Sequence, residues 1–323
     1  MRNPIWFICL LISTFYGCRE VDRVAEDIAK IEVVLDVARF DREFAEAGPA
    51  DIARLKKKYP YLFPASYADS IWVAKVEDTL QIEISNEVKK AFPDFGDEEV
   101  ELRSLFRHIK YYYPQFSLPK IVTVTSDVDY NNRVILADTL LLVGLDNYLG
   151  PSHKFYKVIP KYMADDLDKK FLVRDVASAF VKKIVPAPTD RTFLSWMVYY
   201  GKELYLKEKL MPLVADDVNI GYAPKQLDWA TANEEPVWRY FIEKGVLYDT
   251  DSKLGPRFLD PAPFSKFQLE LDNESPDMIG RFIGWQIVRA FMENNTEDLH
   301  AMLALSEEEI FKRSQYKPRR STR

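Results

Sequence analysis

The side chains that could form a catalytic or metal site are few and widely spaced in this chain of 323 residues. Its histidines are His108, His153 and His300, and it has two cysteines, Cys9 and Cys18. No two histidines stand four residues apart, the spacing that places two ligands on one face of a helix. A zinc site usually needs three or four imidazole, thiolate or carboxylate ligands. The sequence therefore predicts no metal site and no cofactor.

Cys18 has the clearest chemistry, because it ends a segment typical of a bacterial lipoprotein signal. Arg2 supplies a positive charge, residues 5–12 are apolar, and Gly17 places a small residue directly before Cys18. An apolar run of about eight residues is too short to span a bilayer, which takes about 20. We expect residues 1–17 to be removed and Cys18 to carry acyl chains such as palmitate. An ordinary secretory signal and an uncleaved anchor are the alternatives.

Without that signal the chain is expected to be an acidic protein of the cell envelope, tethered to a membrane through lipid. The net charge falls from -6 to -7 because Arg2 is lost, and Cys18 is then the only thiol. Stability must come from an ordinary hydrophobic core, for which 47% apolar residues suffice. The composition gives no indication of nucleic-acid binding. We expect the anchored protein to face the periplasm.

The end of the chain, residues 315–323, is basic and is expected to form a solvated tail. Contact of this tail with a membrane or a partner protein is the alternative. Between the signal and the tail, residues 18–314 show no internal repeat and no low-complexity linker. They are therefore predicted to form a single domain.

The spacing of apolar residues predicts an α+β fold that is mainly helical and has a small sheet. Strands are predicted over 31–37, 120–125 and 133–143, although Val34 leaves a helix open for the first. The last two are expected to pair through a turn rich in Asp and Asn. Helices are predicted as short pieces within 49–91 and as longer ones over 97–113, 165–185, 193–210 and 276–294.

Gly280 and Gly284 stand four residues apart in the last of these helices. Glycines at this spacing allow another backbone to approach closely, and Phe282 and Trp285 are expected to pack in the core beside them.

The order of the predicted elements resembles the zincin-type metallopeptidases. The similarity covers the paired strands, a helix over 165–185, an aromatic helix at Ser195–Gly201 and the later segment Ile279–Val288. In that family the first helix carries His-Glu-x-x-His, and the second supplies a carboxylate just before a glycine. This chain has Arg174-Asp175-Val176-Ala177-Ser178 at the first motif and Tyr200 at the second.

These replacements remove the chemistry of a zinc peptidase. Arg174 has no free lone pair and a permanent positive charge, and Ser178 is a poor neutral ligand. Asp175 keeps a carboxylate where the general base would lie, but it has no metal-bound water to activate. Arg174, Asp175, Ser178 and Tyr200 are therefore candidate contact residues of a degenerate cleft. Alternatively, Arg174 forms a buried salt bridge that replaces the metal in holding two helices together.

Taken with the lipid signal, the chain resembles the gliding-motility-associated lipoprotein family GldB. The segments that carry this resemblance are Arg39–Asp41, Leu145–Gly150, Arg174–Ser178 and Ile283–Val288. The resemblance implies a part in the machinery linked to surface gliding and secretion, with other proteins of that machinery as partners. It implies no established enzymatic activity.

Two functions of different classes are consistent with these observations. The leading hypothesis is a membrane-anchored, non-catalytic scaffold or assembly factor of the gliding machinery, a pseudo-peptidase with a degenerate zincin-like fold. The alternative is an extracytoplasmic metallopeptidase or hydrolase with an unorthodox site, in which His153 would act with Asp165 or Asp166. A lipoprotein whose cleft binds a peptide or a sugar is a third possibility.

Overall fold

The computed structural model of the protein describes residues 23–188, 190–269 and 272–320. It is 58% helical and contains one mixed sheet of four strands, which confirms the predicted α+β, mainly helical fold. The predicted signal and Cys18 lie outside the described residues. Within the described residues, no helix has both the length and the apolar character needed to cross a bilayer.

The sheet has the strand order β1-β2-β4-β3. The strands are β1 (Val37–Ala38), β2 (Lys120–Val124), β3 (Val134–Leu136) and β4 (Leu140–Gly144). Strand β2 is parallel to both of its neighbours, and β3 is antiparallel to β4. The expected pairing of 120–125 with 133–143 through an Asp/Asn-rich turn is therefore only partly right. Residues 133–143 form a hairpin of their own, and the second strand of this hairpin pairs with β2.

The predicted strand over 31–37 was wrong for all but its last residue, since residues 31–36 belong to no helix or strand. Two of their backbone carbonyls are bonded by arginine side chains. Arg103 donates to the carbonyl of Val33 at 2.8 Å, and Arg107 donates to that of Ile31 at 3.1 Å. These side chains satisfy backbone groups that a strand would pair in a sheet, and only Asp36, whose carbonyl accepts from Ile121, reaches β2.

The helices on the N-terminal side confirm the prediction of short pieces followed by one longer helix. They are α1 (Phe40–Ala45), α2 (Ile52–Lys58), α3 (Asp69–Glu77), α4 (Thr79–Ala91) and α5 (Gly96–Tyr112). Asp78 caps α4, since its carboxylate accepts from the backbone N–H groups of Leu80 and Gln81.

The remaining helices form most of the C-terminal half. They are α6 (Lys161–Ala164), α7 (Leu172–Ile184), α8 (Phe193–Leu210), α9 (Asp216–Ile220), α10 (Pro224–Ala232), α11 (Glu234–Glu243), α12 (Leu254–Phe258), α13 (Ile279–Asn294), α14 (Leu299–Ala304) and α15 (Glu307–Ser314). The helix predicted over 165–185 thus begins later than expected. A short 3-10 turn precedes α7, and the acidic residues at 165 and 166 lie in the connection before that turn.

Helices α8 and α13 cross at Gly201 and Gly284, which confirms the predicted close approach for Gly284, whereas Gly280 packs against Phe258 and Leu259. A Cβ atom on Gly284 would lie 1.8 Å from the carbonyl oxygen of Met197, and one on Gly201 would lie 2.3 Å from that of Gly284. Beside the crossing, Trp285 is fully buried and Phe282 is nearly so. The two helices can therefore pack this closely only because neither glycine has a side chain.

The segment predicted as a solvated tail is anchored at its start. The Tyr316 ring packs edge-on against Trp238 at 5.2 Å, and its hydroxyl donates to Glu234 at 2.8 Å. The backbone N–H of Arg319 donates to the same carboxylate. The prediction holds only for the exposed side chains of Lys317, Arg319 and Arg320. Glu234 is buried, and a buried carboxylate needs hydrogen-bond donors, which this segment provides.

Candidate functional site

A cavity of about 1140 Å³ lies where α7 and α8 face the start of α13. Its walls also include the connections that precede β3, α7 and α13. The four residues singled out by the sequence, Arg174, Asp175, Ser178 and Tyr200, all line it. The structure thus brings these residues to one cleft, although their place there does not by itself give them a role.

Arg174 takes part in a closed ring of two arginines and two aspartates. Its Nη1 lies 2.7 Å from Asp166 Oδ1, and its Nη2 lies 2.6 Å from Asp175 Oδ1. Arg133 completes the ring, with Nη2 at 2.5 Å from Asp166 Oδ2 and Nε at 2.6 Å from Asp175 Oδ2. The Tyr148 hydroxyl also donates to Asp175 Oδ2, at 2.9 Å. We call these four charged residues the arginine–aspartate ring.

Three groups of the ring have pKa values shifted towards their charged forms. Burial raises the pKa of Asp166, but the guanidinium groups of Arg174 and Arg133 outweigh this effect, and its pKa lies below the usual value. Burial lowers the pKa values of both arginines, but the two aspartates more than compensate and raise these values above the usual one. The ring is therefore a set of mutually neutralised charges, which leaves Asp175 without a free oxygen to act as a base.

A strained loop leads from β2 towards Arg133. Asp127 and Val128 have φ angles of 57° and 60°, which are unusual for residues other than glycine and costly for a β-branched one. The buried carboxylate of Asp146 holds this backbone, since it accepts from the N–H groups of Ser126 at 2.9 Å and Val128 at 2.6 Å. The stretch Leu145–Gly150, noted for its family resemblance, thus supports the cleft through Asp146 and contacts the ring through its tyrosine.

Ser178 and Tyr200 make contacts of the kind that stabilise a fold. The Ser178 hydroxyl donates to the carbonyl of Arg174 one turn earlier in the helix, at 2.9 Å. The Tyr200 ring lies beneath the Arg281 guanidinium, whose central carbon is 3.9 Å from the ring centroid. Burial raises the pKa of the Tyr200 hydroxyl. In the part of the chain that the structure describes, no carboxylate or imidazole accepts a hydrogen bond from either hydroxyl, so neither is arranged as an activated nucleophile.

Two cations in the cleft escaped the sequence analysis, Lys207 on α8 and Arg281 on α13. Lys207 is 7% exposed, and its Nζ donates to the carbonyl of Asn219 at 2.6 Å. Arg281 donates through Nε to the carbonyl of Leu259. Within the described part of the chain, neither cation has a carboxylate partner within 4.0 Å. A signal was present, because Tyr200, Glu203 and Lys207 recur at the spacing that places them on one face of α8.

The pKa of Lys207 is lowered to about 7, first by burial and then by the charge of Arg174. The unfolded chain, in which lysine titrates near 10.5, therefore binds more protons than the folded chain between pH 7 and 10.5. Stability should rise with pH in this window. From pH 7 to pH 9 we expect Lys207 to add about 2 kcal/mol to the free energy of unfolding.

Urea unfolding at the two pH values checks this prediction when the protein is compared with its Lys207→Met variant. The variant should lack this part of the increase and should be at least as stable as the parent at pH 7. Equal pH dependence in the two proteins would contradict the lowered pKa of this buried amine.

The histidines do not assemble a metal site. His153 lies 3.5 Å from Glu87 and does not line the cleft, whereas Asp165 and Asp166 do, so the structure does not bring the expected group together there. No cluster of three or more His, Cys, Asp or Glu side chains suited to a metal ion occurs among residues 23–188, 190–269 and 272–320. At the helix position where the resemblance implies zinc ligands, Arg174 and Ser178 do not fit the ion, because neither offers a suitable donor.

The family model for the gliding motility protein GldB matches residues 21–318 of the chain. The chain belongs to the GldB family. It is therefore a gliding motility protein of a lipoprotein family, as its resemblance implied. No curated protein and no solved structure matches the chain. Membership of this family also places the protein at the cell envelope, in association with a membrane.

Proposed function

We propose that this GldB-family protein is a lipid-anchored, non-catalytic scaffold or assembly factor of the gliding machinery. In this proposal its cleft is that of a degenerate zincin-like peptidase and serves to hold partner proteins of the gliding or secretion machinery. The protein is anchored through Cys18 and faces the periplasm. Family membership supports the part in motility, and the cleft supports the absence of catalysis.

The observation that carries the proposal is the arginine–aspartate ring. A zinc peptidase needs lone-pair donors around an open coordination position and a carboxylate that is free to take a proton. Here the equivalent helix presents Arg174, and both oxygens of Asp175 accept hydrogen bonds from the ring or from Tyr148. Such an arrangement fixes two parts of a cleft relative to each other and does no proton transfer.

Metal content and peptidase activity of the full-length, detergent-solubilised protein test this proposal. We expect less than about a tenth of an equivalent of zinc per chain, and no cleavage of casein or of mixed peptides before or after treatment with a chelator. Stoichiometric zinc together with chelator-sensitive cleavage would overturn the proposal in favour of the metallopeptidase alternative. It would also mean that Arg174–Ser178 had been aligned wrongly with the metal helix.

The anchor gives a separate prediction. In cells fed a clickable palmitate analogue, the Cys18→Ser variant should lose the label and leave the membrane fraction, because Cys18 is the only cysteine that follows residues 1–17. Cys9→Ser is a matched control, since it alters the other cysteine of the predicted signal and should keep both label and membrane association. Label that persists in Cys18→Ser would show that the lipid is attached elsewhere or that the signal is not a lipobox.

A further inference from the structure

Arg281 presents a hydrogen-bonding surface to the cleft that the protein itself leaves unused. Its Nε is bonded to Leu259, and its guanidinium plane is stacked on the Tyr200 ring. Among the described residues, neither of its terminal amino groups has a hydrogen-bond partner. A planar guanidinium held in this way offers two parallel N–H donors, the geometry that matches a carboxylate.

Lys207 supplies a second unused donor in the same cleft. Its Nζ uses one hydrogen bond, to Asn219, whereas an ammonium group has three N–H bonds to donate. Lys207 and Arg281 lie on different helices and line the same cavity, and the charge of Arg281 is among the effects that lower the pKa of Lys207. With a pKa of about 7, Lys207 carries its charge in only part of the molecules at neutral pH, and a carboxylate bound beside it would favour the protonated form.

The charges around this pair indicate which anion fits. Glu203 and Asp277 also line the cleft. Glu203 lies on the same helix as Lys207, and Asp277 lies in the connection just before α13. Glu203 accepts from the Tyr199 hydroxyl, and Asp277 accepts from the backbone N–H of Ala262. These two acids repel negative charge, and they oppose a bound group with two negative charges more strongly than one with a single charge. A singly charged carboxylate is therefore favoured over a phosphate dianion.

The rest of the cleft is suited to a polypeptide. Its volume slightly exceeds the range of about 300–1,000 Å³ that is usual for small-molecule sites. Its outer wall has proline and tyrosine side chains, which contact peptide groups without strong charge. These are Tyr130, Pro151, Pro160, Tyr162, Pro261 and Pro263. Such a wall supplies contact area, and a few cationic groups inside it fix the orientation of what is bound.

We infer that Arg281 and Lys207 form a subsite for the carboxylate of a polypeptide segment that enters the cleft. The inference rests on the proposed function, because it names the chemistry by which the cleft would hold a partner. The carboxylate can belong to an acidic side chain or to the end of a chain, and both sources present the same oxygens to the two cations. Tyr200 acts as a positioning residue, since its ring holds the guanidinium plane.

Peptide retention by the full-length, detergent-solubilised protein tests the inference. The probes are pools of acetylated, amidated hexapeptides, random except for one central position fixed as glutamate or as glutamine. The wild-type protein should retain the glutamate pool about 10-fold better, because hydrogen bonds between charged groups are the strong ones. A glutamine pool with a free C-terminal carboxylate distinguishes the two sources, since its stronger retention would assign the subsite to a chain end.

Variants connect this preference to the two cations. Arg281→Gln and Lys207→Met should each bring the ratio of retained glutamate pool to retained glutamine pool close to one. Arg281→Lys should keep part of the preference for glutamate, because the positive charge remains although the planar donors are lost. Arg239→Gln, an exposed arginine on α11, should leave the ratio unchanged. Thermal unfolding of each variant separates loss of binding from loss of the fold.

Three results would overturn the inference. They are equal retention of the glutamate, glutamine and free-end pools by the wild type, a preference that survives in both Arg281→Gln and Lys207→Met, and stronger retention of a phosphoserine pool. None of these results depends on zinc or on peptidase activity. A protein that has neither metal nor activity and shows no preference for carboxylates would still be a scaffold, but one that uses another surface.

Discussion

Gly284→Ala should lower the free energy of unfolding by about 3 kcal/mol or more, the largest effect expected of any single methyl group in this protein. The added Cβ would lie 1.8 Å from a backbone oxygen of Met197, an atom that cannot rotate away as a side chain can. Helices α8 and α13 would have to separate. As the helices separate, apolar residues of α13 such as the fully buried Ile283 and Trp285 would lose packing contacts.

Urea unfolding followed by tryptophan fluorescence measures this effect, since Trp285 lies beside the crossing. Gly201→Ala is expected to act in the same way, because its Cβ would lie 2.3 Å from the Gly284 carbonyl oxygen. Gly48→Ala is the matched control. Its Cβ would meet no atom within 4 Å, and its φ of -106° is open to any residue, so the change should stay within about 0.5 kcal/mol. Equal stability of Gly284→Ala and Gly48→Ala would show that the helices do not cross at these glycines.

Arg174→Ala should destabilise the protein by about 3–5 kcal/mol, because it leaves two aspartates in the cleft wall with only Arg133 to neutralise them. The guanidinium is buried against the Phe171 ring at 4.2 Å, so packing is lost together with charge. This result is expected whether or not the cleft binds a ligand. It corresponds to the salt-bridge alternative for Arg174, in which the ion pairs hold elements together where a metal would otherwise do so.

The pH dependence gives a second readout of the same ring. The pKa of Asp166 is lowered in the folded protein, so its contribution is complete above the ordinary value of 3.8 and is lost as the pH falls through the lowered value. Arg174→Ala should therefore lose less stability on acidification than the parent does. Controls are Ser178→Ala on the same helix and Arg239→Ala at an exposed position, each expected to cost less than about 1 kcal/mol. If Arg174→Ala matched these controls, the ring would contribute nothing to stability.

The sequence was sufficient wherever the deciding feature was local. Helical periodicity located α5, α8 and α13, because a helix buries one face and repeats its apolar residues accordingly. The glycine spacing at 280 and 284 indicated a close helix crossing. That Arg174 and Ser178 do not form a pair of zinc ligands was visible directly, since the donor atoms of a side chain follow from its residue type. The order of such segments along the chain carried the resemblance to the GldB family.

What the tertiary structure decided is which distant residues meet. Strand β2 pairs in parallel with β4. This pairing depends on packing across the sheet, and the alternation of apolar and polar residues along either strand does not indicate it. Arg133 and Asp166 join Arg174 only because a strained loop and a late helix start bring them together. Lys207 and Arg281 likewise become one subsite only through the crossing of α8 and α13. Periodicity records which face of an element is buried, whereas the partner of that face is set by long-range contacts whose energies no local pattern contains.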